Sequence, residues 1–302
     1  LKAEFTYGFI YADCRVDDSR LVLTNALSAS ECGAAILTRT ECIVGKRIND
    51  AWQLQLRSSS GVETTVTARG IVNASGPWVK QILNDCLHQP SHDSVRLVKG
   101  SHIVVQKLYA GNHAYILQNN DGRVIFMIPY QGRYTLIGTT DVALNCAPER
   151  PQASSEEIDY LCRAANRYLE KSLSPKDVVW SYAGVRPLYD DGSTNPSAVT
   201  RDYTLRLDAD QGNAPVLSVF GGKITTYRKL AEHVMEKLRT WFPDMKPPWT
   251  DTVPLAGGES FNAEIQVPDW QALPPEALAA IKSRHGSRAR RGTAYAHRAR
   301  KR

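Results

Sequence analysis

The feature that most constrains the fold is a β-rich stretch between residues 95 and 140. Runs of β-branched and aromatic residues alternate there with turn residues, of which the clearest group is 119–122, Asn-Asn-Asp-Gly. Short runs separated by such turns are typical of consecutive antiparallel strands. The sequence therefore predicts an antiparallel sheet, with strands near residues 103–105, 114–117, 124–128 and 134–137.

Two segments outside this stretch have a different pattern, in which a short apolar strand runs into small residues and then into a helix. In residues 70–79, Pro77 stands in the first helical turn, where its missing N–H costs nothing. In residues 216–229, two glycines precede Lys223. Such turns let the free N–H groups of a helix N-terminus approach an electron-rich ligand. An ordinary turn with a solvent-exposed lysine is the alternative interpretation, and the spacing is not that of a Walker loop.

The other periodic segments complete a mixed α/β pattern. They are a helix capped by Asp17 and ended by Gly33, a buried strand at 34–40, a hairpin at 52–56 and 62–68, helices at 151–171, 225–241 and 275–285, and strands at 178–185 and 203–207. Strand–helix units combined with a large antiparallel sheet predict a mixed α/β (α+β) fold. We expect an α/β cofactor domain with an antiparallel substrate domain threaded through it.

The net charge of +6 on 302 residues is concentrated at one end of the chain. Nine of the 37 basic residues lie within 282–302, and no acidic residue follows Glu276. The remaining 28 basic residues face 31 acidic ones, so the body of the chain carries a net charge of −3. A basic tail can bind nucleic acid or anionic lipid, but we favour the simpler interpretation of a solvated or foreign end. We therefore expect no nucleic-acid partner.

The six cysteines show no spacing typical of a metal site or a disulfide framework. We expect reduced thiols and no metal ion. The first residues contain no apolar stretch of a secretory signal, and no run approaches the ~20 apolar residues that span a bilayer. Any contact with a membrane is therefore expected to be peripheral.

Two further segments contain side chains suited to binding or catalysis. Arg186 lies among small residues at the end of a predicted strand, and a guanidinium there can bind a phosphate or carboxylate through two hydrogen bonds. His102 follows Lys99, Gly100 and Ser101 and precedes an apolar run, so it is a candidate general base or substrate contact. A surface arginine and a structural histidine are the alternative interpretations.

Seven blocks of the sequence, taken in order, resemble the FAD-dependent (aerobic, quinone-linked) glycerol-3-phosphate dehydrogenases. Each block alone is weak, but the ordered set is specific and covers roughly residues 5–255. The blocks are residues 13–21, 73–79, 97–104, 137–141, 181–187, 200–204 and 221–233.

The resemblance implies a glutathione-reductase-type FAD domain joined to an antiparallel-sheet substrate domain, as in the D-amino-acid-oxidase superfamily. It implies oxidation of sn-glycerol 3-phosphate to dihydroxyacetone phosphate, with hydride transfer to FAD and onward electron transfer to membrane quinone. It also implies a cytoplasmic protein that lies peripherally on the inner face of the cytoplasmic membrane, and it allows a homodimer.

The resemblance further implies roles for individual residues. Arg186 matches the family's substrate-binding arginine, Lys223 matches the lysine near flavin and substrate, and His102 is a weaker match to a polar substrate contact. The matches to FAD contacts are Cys42, whose backbone would meet the adenine, Ser75, Gly76 and Trp78 beside the FAD, and Gly222, Lys223, Thr225 and Thr226 at the isoalloxazine ring.

The sequence departs from the family at both ends. It contains no G-x-G-x-x-G, the motif that holds the FAD pyrophosphate on the first strand–helix turn, so we expect an N-terminally truncated fragment. The basic end is unlike the family, and our hypothesis is a shifted or truncated reading frame. The expected division is 1–94 as part of the FAD domain, 95–207 as the substrate domain, 208–242 as the return to the FAD domain, 243–286 as a linker and the start of a C-terminal helical domain, and 287–302 as a basic disordered tail.

Three alternatives stay open from the sequence. A related FAD-dependent amino-acid or hydroxy-acid oxidase would keep the fold and change the substrate, although blocks 97–104 and 181–187 disfavour it. A basic-tailed module that binds nucleic acid or lipid is disfavoured by the acidic body. The third alternative is an inactive gene fragment.

Overall fold

Twelve strands and five α-helices occur in the part of the chain that the computed structural model describes, residues 1–146, 149–190, 202–209, 213–259 and 274–289. The strands are β1 (Thr40–Ile48), β2 (Ala51–Ser58), β3 (Glu63–Ala68), β4 (Ile71–Asn73), β5 (Val95–Gln106), β6 (Tyr115–Gln118), β7 (Val124–Tyr130), β8 (Tyr134–Gly138), β9 (Val142–Leu144), β10 (Val178–Tyr189), β11 (Tyr203–Asp208) and β12 (Val216–Gly221). The α-helices are α1 (Asp18–Glu31), α2 (Val79–Gln81), α3 (Ser155–Asn166), α4 (Tyr227–Leu238) and α5 (Pro275–His285).

The chain divides into two compact units. One contains Leu1–Ile10 and Cys42–Trp241, with all twelve strands but the first two residues of β1. The other contains Tyr11–Glu41 and the described part of Phe242–Arg302, with α1 and α5. The expected division into FAD, substrate and C-terminal domains stays a prediction.

A six-stranded sheet confirms the antiparallel sheet that the sequence predicts. Its order is β10-β5-β8-β7-β6, and β9 pairs with β5 beyond the end of β8. All of its neighbouring strands are antiparallel. Helix α3 packs on one face, where Leu161 and Ala165 join Ile103, Ile125 and Ile137 in a buried cluster. Because successive strand residues face opposite sides of a sheet, the side chains of β5 that alternate with Ile103 lie on the face away from α3.

A second sheet has the order β11-β12-β4. Strand β12 pairs with β4 in parallel, with Ser218 opposite Asn73, and with β11 in antiparallel orientation. The expected substrate domain ends at residue 207 and thus includes most of β11. The backbone pairing, however, places β11 beside β12, which lies in the segment 208–242 that is expected to return to the FAD domain. All residues of β12 but the last are buried, as expected of a strand in the middle of a sheet.

The third sheet, β1-β2-β3, contains the predicted hairpin. Trp52 on β2 is fully buried, and its indole Nε1 donates to the carbonyl oxygens of Ala214 and Pro215, each at 3.1 Å. The ring therefore joins this sheet to the residues that precede β12. Val79, Leu83 and Phe220 complete the surrounding apolar cluster.

The prediction of a buried strand at residues 34–40 is wrong. Strand β1 begins only at Thr40, and Ile36 and Leu37 are exposed. An apolar run does not form a strand without a partner, and β1 pairs with β2 only from Thr40 onward.

In the second unit, helix α1 begins and ends where the capping residues in the sequence predict. Helix α1 begins after Asp17, whose carboxylate accepts the Arg20 N–H, and Gly33 follows it with a φ of 96°. Arg288 forms ion pairs with Glu31 and Glu259. Of the predicted tail, Ser287 and Arg288 lie in a 3₁₀ turn, and residues 290–302 lie outside the described residues.

Candidate active site

Two turns lie at the carboxyl ends of the adjacent parallel strands β4 and β12. The first turn follows Asn73 and forms the 3₁₀ turn Gly76–Trp78, and the second follows Gly221 and forms the 3₁₀ turn Ile224–Thr226. Ligands of open α/β sheets bind outside the carboxyl ends of parallel strands. The topology therefore brings together the sequence-predicted residues Ser75, Gly76, Trp78, Gly222, Lys223, Thr225 and Thr226.

The first turn is held by Asn73, which is buried. Its amide Nδ2 donates to the carbonyl oxygen of Val79 at 2.9 Å, and its Oδ1 accepts the Ser75 hydroxyl at 2.6 Å. Gly76 has a φ of 57°, a region that glycine adopts without strain. Trp78 is 45% exposed. The buried amide thus fixes the turn while the indole stays accessible.

The second turn depends on its two glycines. Gly221 and Gly222 have φ angles of 80° and 105°. A Cβ on Gly221 would lie 2.8 Å from the backbone oxygen of Asp202 and 3.2 Å from the backbone nitrogen of Tyr189. The glycines therefore allow three backbone segments to meet at this point. Beyond them, residues 223–226 are exposed, at the N-terminal end of α4.

The end of strand β10, which begins one residue beyond Arg186, meets the two turns. Pro187 approaches Gly76, since a Cβ on Gly76 would lie 3.8 Å from the proline ring, and Tyr189 approaches Gly221 as described above. The end of β10 therefore borders both turns. The arginine is the last polar side chain before this junction.

The guanidinium of Arg186 is held by a loop that follows β8. Its Nη1 donates to Asp141 Oδ1 at 2.8 Å, and its Nη2 donates to Thr139 Oγ1 at 2.9 Å. The backbone at Gly100 makes room for the group, because a Cβ there would lie 2.5 Å from Nη2. The side chain keeps 35% of its surface exposed. The guanidinium is therefore oriented by the protein and still accessible to a ligand.

His102 lies on β5, opposite Gly138 on β8 and Tyr182 on β10. A Cβ on Gly138 would collide with the imidazole, and the ring stacks on Tyr182 with centroids 5.0 Å apart. Its Nδ1 is buried and makes no hydrogen bond among the described residues. Burial, and then the positive charge of Arg186, lower the pKa of His102 to about 4. The imidazole is therefore neutral at pH 7.

A buried carboxylate lies behind this group of residues. Glu157 is 6% exposed and accepts hydrogen bonds from Ser101 Oγ at 2.8 Å and from Thr140 Oγ1 at 2.7 Å. Lys99 Nζ lies 2.8 Å from its Oε2. Burial raises the pKa of Glu157, but the hydrogen bonds from Lys99, Ser154, Thr140 and Ser101 outweigh it and lower the pKa to about 2.

Cys42 lies in a different sheet from the strands that end at the two turns. It is on β1, where its carbonyl oxygen accepts the thiol of Cys86 at 3.3 Å. Its predicted contact with the adenine is not tested by this arrangement and stays a prediction.

Several residues of this region carry no role in the sequence-based prediction: Gly100, Gly138, Thr139, Thr140, Asp141 and Glu157. The block 137–141 supplies three of the groups around Arg186, and its strand end followed by two threonines and an acid is a signal for a polar loop. Glu157 carries no such signal, since in sequence it is one acid of a helix N-terminus.

Comparison with known proteins identifies the class. The model of the DAO family, described as FAD dependent oxidoreductase, matches residues 1–228. The chain belongs to this family, and its mixed α/β fold with antiparallel sheets agrees with it.

The names of two similar relatives describe dehydrogenases of phosphorylated polyols. The chain is 51% identical over 263 residues to a glycerol-3-phosphate dehydrogenase of Pseudomonas aeruginosa, covering 87% of this chain and 51% of the relative. It is 52% identical over 264 residues to a D-erythritol 1-phosphate dehydrogenase of Brucella abortus, covering 87% of this chain and 52% of the relative. The chain thus spans about half the length of the curated relatives it matches.

A solved structure is similar to this chain over most of its length. The glycerol-3-phosphate dehydrogenase from Bacillus halodurans complexed with FAD aligns with a TM-score of 0.69 at 28% identity, covering 81% of this chain and 47% of that chain. Among the described residues of this chain, no helix has the length and apolarity to cross a membrane.

Part of the chain fits the cofactor of its family. The exposed turn at residues 223–226 follows a parallel strand and carries a lysine and two threonine hydroxyls, of which that of Thr226 donates to the Lys223 carbonyl oxygen at 3.2 Å, and this set suits an electron-rich ring. The sequence has no G-x-G-x-x-G, so this fit concerns the ring end of FAD and not its pyrophosphate.

Proposed function

We propose that this chain takes part in the FAD-dependent oxidation of sn-glycerol 3-phosphate to dihydroxyacetone phosphate, and that it contributes the substrate site and the ring end of the flavin site. The proposal is supported by the glycerol-3-phosphate dehydrogenase of Pseudomonas aeruginosa at 51% identity. The observation that carries it is the Arg186 guanidinium, oriented by Asp141 and Thr139 beside a neutral His102.

Arg186 binds the anionic substrate in this proposal. An oriented guanidinium with exposed surface can donate two parallel hydrogen bonds to phosphate oxygens. The Asp141 carboxylate on the same guanidinium moderates the attraction, so that the anionic product can leave. Lys223 adds a second positive charge at the flavin turn, where it favours a negatively charged ring.

His102 contacts the substrate hydroxyl. A neutral imidazole accepts a hydrogen bond or a proton at the ring nitrogen that carries no hydrogen. Its depressed pKa keeps it neutral at pH 7 but also makes it a weak base, which favours hydrogen bonding to the C2 hydroxyl. FAD, when bound, supplies the acceptor for the hydride of C2.

The partners of the whole protein belong to the same proposal. We infer that electrons pass onward to membrane quinone, that the protein lies peripherally on the cytoplasmic face of the membrane, and that it can form a homodimer. These inferences follow from the resemblance to quinone-linked dehydrogenases. Binding to quinone-containing liposomes tests the peripheral membrane contact, and reduction of their quinone when glycerol 3-phosphate is added tests the electron transfer.

The role of Arg186 is tested by ligand binding. Replacing it by methionine removes the two charge-assisted hydrogen bonds, so glycerol 3-phosphate should bind roughly 10- to 100-fold more weakly in calorimetric titration with FAD present. Arg123→Met is the matched control, because Arg123 also pairs with an aspartate and is 38% exposed, but lies in the turn between β6 and β7. Equal affinities of Arg186→Met and the wild type would overturn the proposed role.

A second candidate substrate is D-erythritol 1-phosphate. The dehydrogenase of Brucella abortus named for this substrate is 52% identical to the chain, as close as the glycerol-3-phosphate dehydrogenase. Both compounds carry a phosphate ester that Arg186 could bind. A competition titration with the two compounds decides between them, and tighter binding of D-erythritol 1-phosphate would replace the first proposal by the second.

A further inference from the structure

The loop Thr139–Asp141 connects the exposed Arg186 to the buried interior. Towards the outside, Thr139 and Asp141 accept hydrogen bonds from the guanidinium at 2.9 and 2.8 Å, and the Thr140 carbonyl oxygen lies 3.4 Å from Nη1. Three consecutive residues thus define where the guanidinium lies. Its position is therefore only as well defined as the position of this loop.

Thr140 holds the loop from the inside. Its side chain is 2% exposed, its Oγ1 donates to Glu157 Oε1 at 2.7 Å, and the same oxygen accepts the backbone N–H of Ser101 at 2.9 Å. One hydroxyl therefore attaches the loop both to β5 and to α3. A hydroxyl with two buried partners fixes a loop more firmly than apolar packing alone.

Glu157 is itself fixed on several sides. Ser101 Oγ donates to its Oε1, Lys99 Nζ lies 2.8 Å from its Oε2, and the Ser154 N–H donates to Oε2 at 2.9 Å. The last contact is half of a capping box at the start of α3. The carboxylate is thus an anchor whose position is set by the helix and by the large sheet.

We propose that Thr140 and Glu157 are positioning residues for Arg186. Both are buried; Glu157 fixes Thr140, Thr140 fixes the loop, and Asp141 and Thr139 orient the guanidinium. The importance of this positioning for catalysis rests on the proposed role of Arg186 in substrate binding. The positioning itself is a property of the ligand-free chain and is tested without substrate.

The test is the rate at which phenylglyoxal, an arginine-directed reagent, modifies Arg186 in the full chain. Peptide mass spectrometry measures this rate relative to Arg123, whose ion pair with Asp121 has a similar exposure and lies outside the network. Thr140→Val, which keeps the volume of the side chain and removes the hydroxyl, should raise the ratio about fivefold to tenfold, since a net hydrogen bond is worth about 1 kcal/mol. Thr140→Ser keeps the hydroxyl and should restore the wild-type ratio.

Two further variants complete the design. Ser154→Ala removes the cap of α3 but leaves the Thr140 hydroxyl bound to Glu157, so it should lower the melting temperature without changing the ratio. Glu157→Gln removes the charge at nearly constant volume and should raise the ratio, and it serves in place of Thr140→Val if the valine variant does not fold. The proposal is overturned if the ratio is unchanged in Thr140→Val or, where that variant does not fold, in Glu157→Gln. It is also overturned if Ser154→Ala raises the ratio as much as Thr140→Val does.

The same reaction separates this proposal from the function. Protection of wild-type Arg186 by glycerol 3-phosphate supports its role in substrate binding, and lack of protection counts against that role alone. The positioning proposal is decided in either case by comparing the Arg186-to-Arg123 rate ratio of Thr140→Val with that of the wild type, both measured without ligand.

Discussion

The large antiparallel sheet and the turns of the smaller β11-β12-β4 sheet use polar residues in opposite ways. Around Arg186 the charged groups are paired with one another, and the anchor Glu157 is buried with a pKa of about 2. At the turn 221–226, which we propose binds the flavin ring and call the flavin turn, Lys223, Thr225 and Thr226 are exposed, and the geometry comes from glycines with positive φ. One region is organised by its own side-chain contacts, and the other by backbone shape.

This difference indicates which part of the site exists before any ligand binds. A network of buried hydrogen bonds orients its members in the free protein. Exposed turn residues offer donors but leave their side chains free to adjust. We therefore expect the substrate side to be preorganised and the flavin side to gain order when the cofactor binds.

The largest effect should follow from removing the buried anchor. Glu157→Ala leaves Lys99, Ser101 and Thr140 without their common acceptor, so the free energy of unfolding should fall by about 3–5 kcal/mol. Urea denaturation measures the loss. The neighbouring exposed Glu156→Ala removes a first-turn carboxylate of α3 and should lower stability far less, and a Glu157→Ala variant as stable as wild type would contradict the view that the network organises this side.

The sheet and the network around Arg186 also show which parts of the fold could be predicted from the sequence. The antiparallel pattern could be predicted from β5 to β8, because hydrophobic alternation and turn residues are local signals. The strand order could not, since β5 pairs with β8 and not with β6. The failed strand at 34–40 was an apolar run without a partner, and pairing is a long-range property. The role of Glu157 was equally hidden, because it depends on Ser101 lying 56 residues away in sequence.

A smaller effect should appear in the pH dependence of stability. The folded pKa of His102 is about 4 and its ordinary value is 6.5, so below pH 6.5 the unfolded chain binds a proton that the folded chain does not. Wild-type stability should therefore fall between pH 6.5 and 4, by about 3 kcal/mol more than that of His102→Gln. Thermal melts at a series of pH values measure this, and parallel curves for the two proteins would show that His102 is not held neutral by burial.

The smallest effect on stability should come from the flavin turn. Lys223→Ala removes an exposed side chain, so the free energy of unfolding should change by less than about 0.5 kcal/mol. FAD affinity, measured by flavin fluorescence quenching, should decrease severalfold because a positive charge near the ring is lost. Lys229→Ala is a suitable control, since Lys229 is also exposed but pairs with Glu232 on α4. A large loss of stability in Lys223→Ala would remove the contrast between the two regions.

The candidate site was partly predictable for a related reason. Arg186, His102 and the turns at 73–79 and 221–229 stood in sequence blocks that mark the family, so their neighbourhood could be expected. The contacts of the arginine with Thr139 and Asp141 could not, because they depend on the register that places β10 beside β5 and β5 beside β8. Glycines 100 and 138 act through the space they leave, which only the packed structure shows.

Hydrogen–deuterium exchange of the chain with and without FAD tests the contrast most directly. Amides of β5 and β8, and above all Ser101, whose N–H donates to Thr140 Oγ1, should be protected in the free chain and unchanged by FAD, whereas residues 222–225 should exchange quickly and become protected when FAD is added. Rapid exchange at Ser101 in the free chain, or protection by FAD that appears there and not at residues 222–225, would contradict a preorganised substrate side beside a flavin side that the cofactor orders.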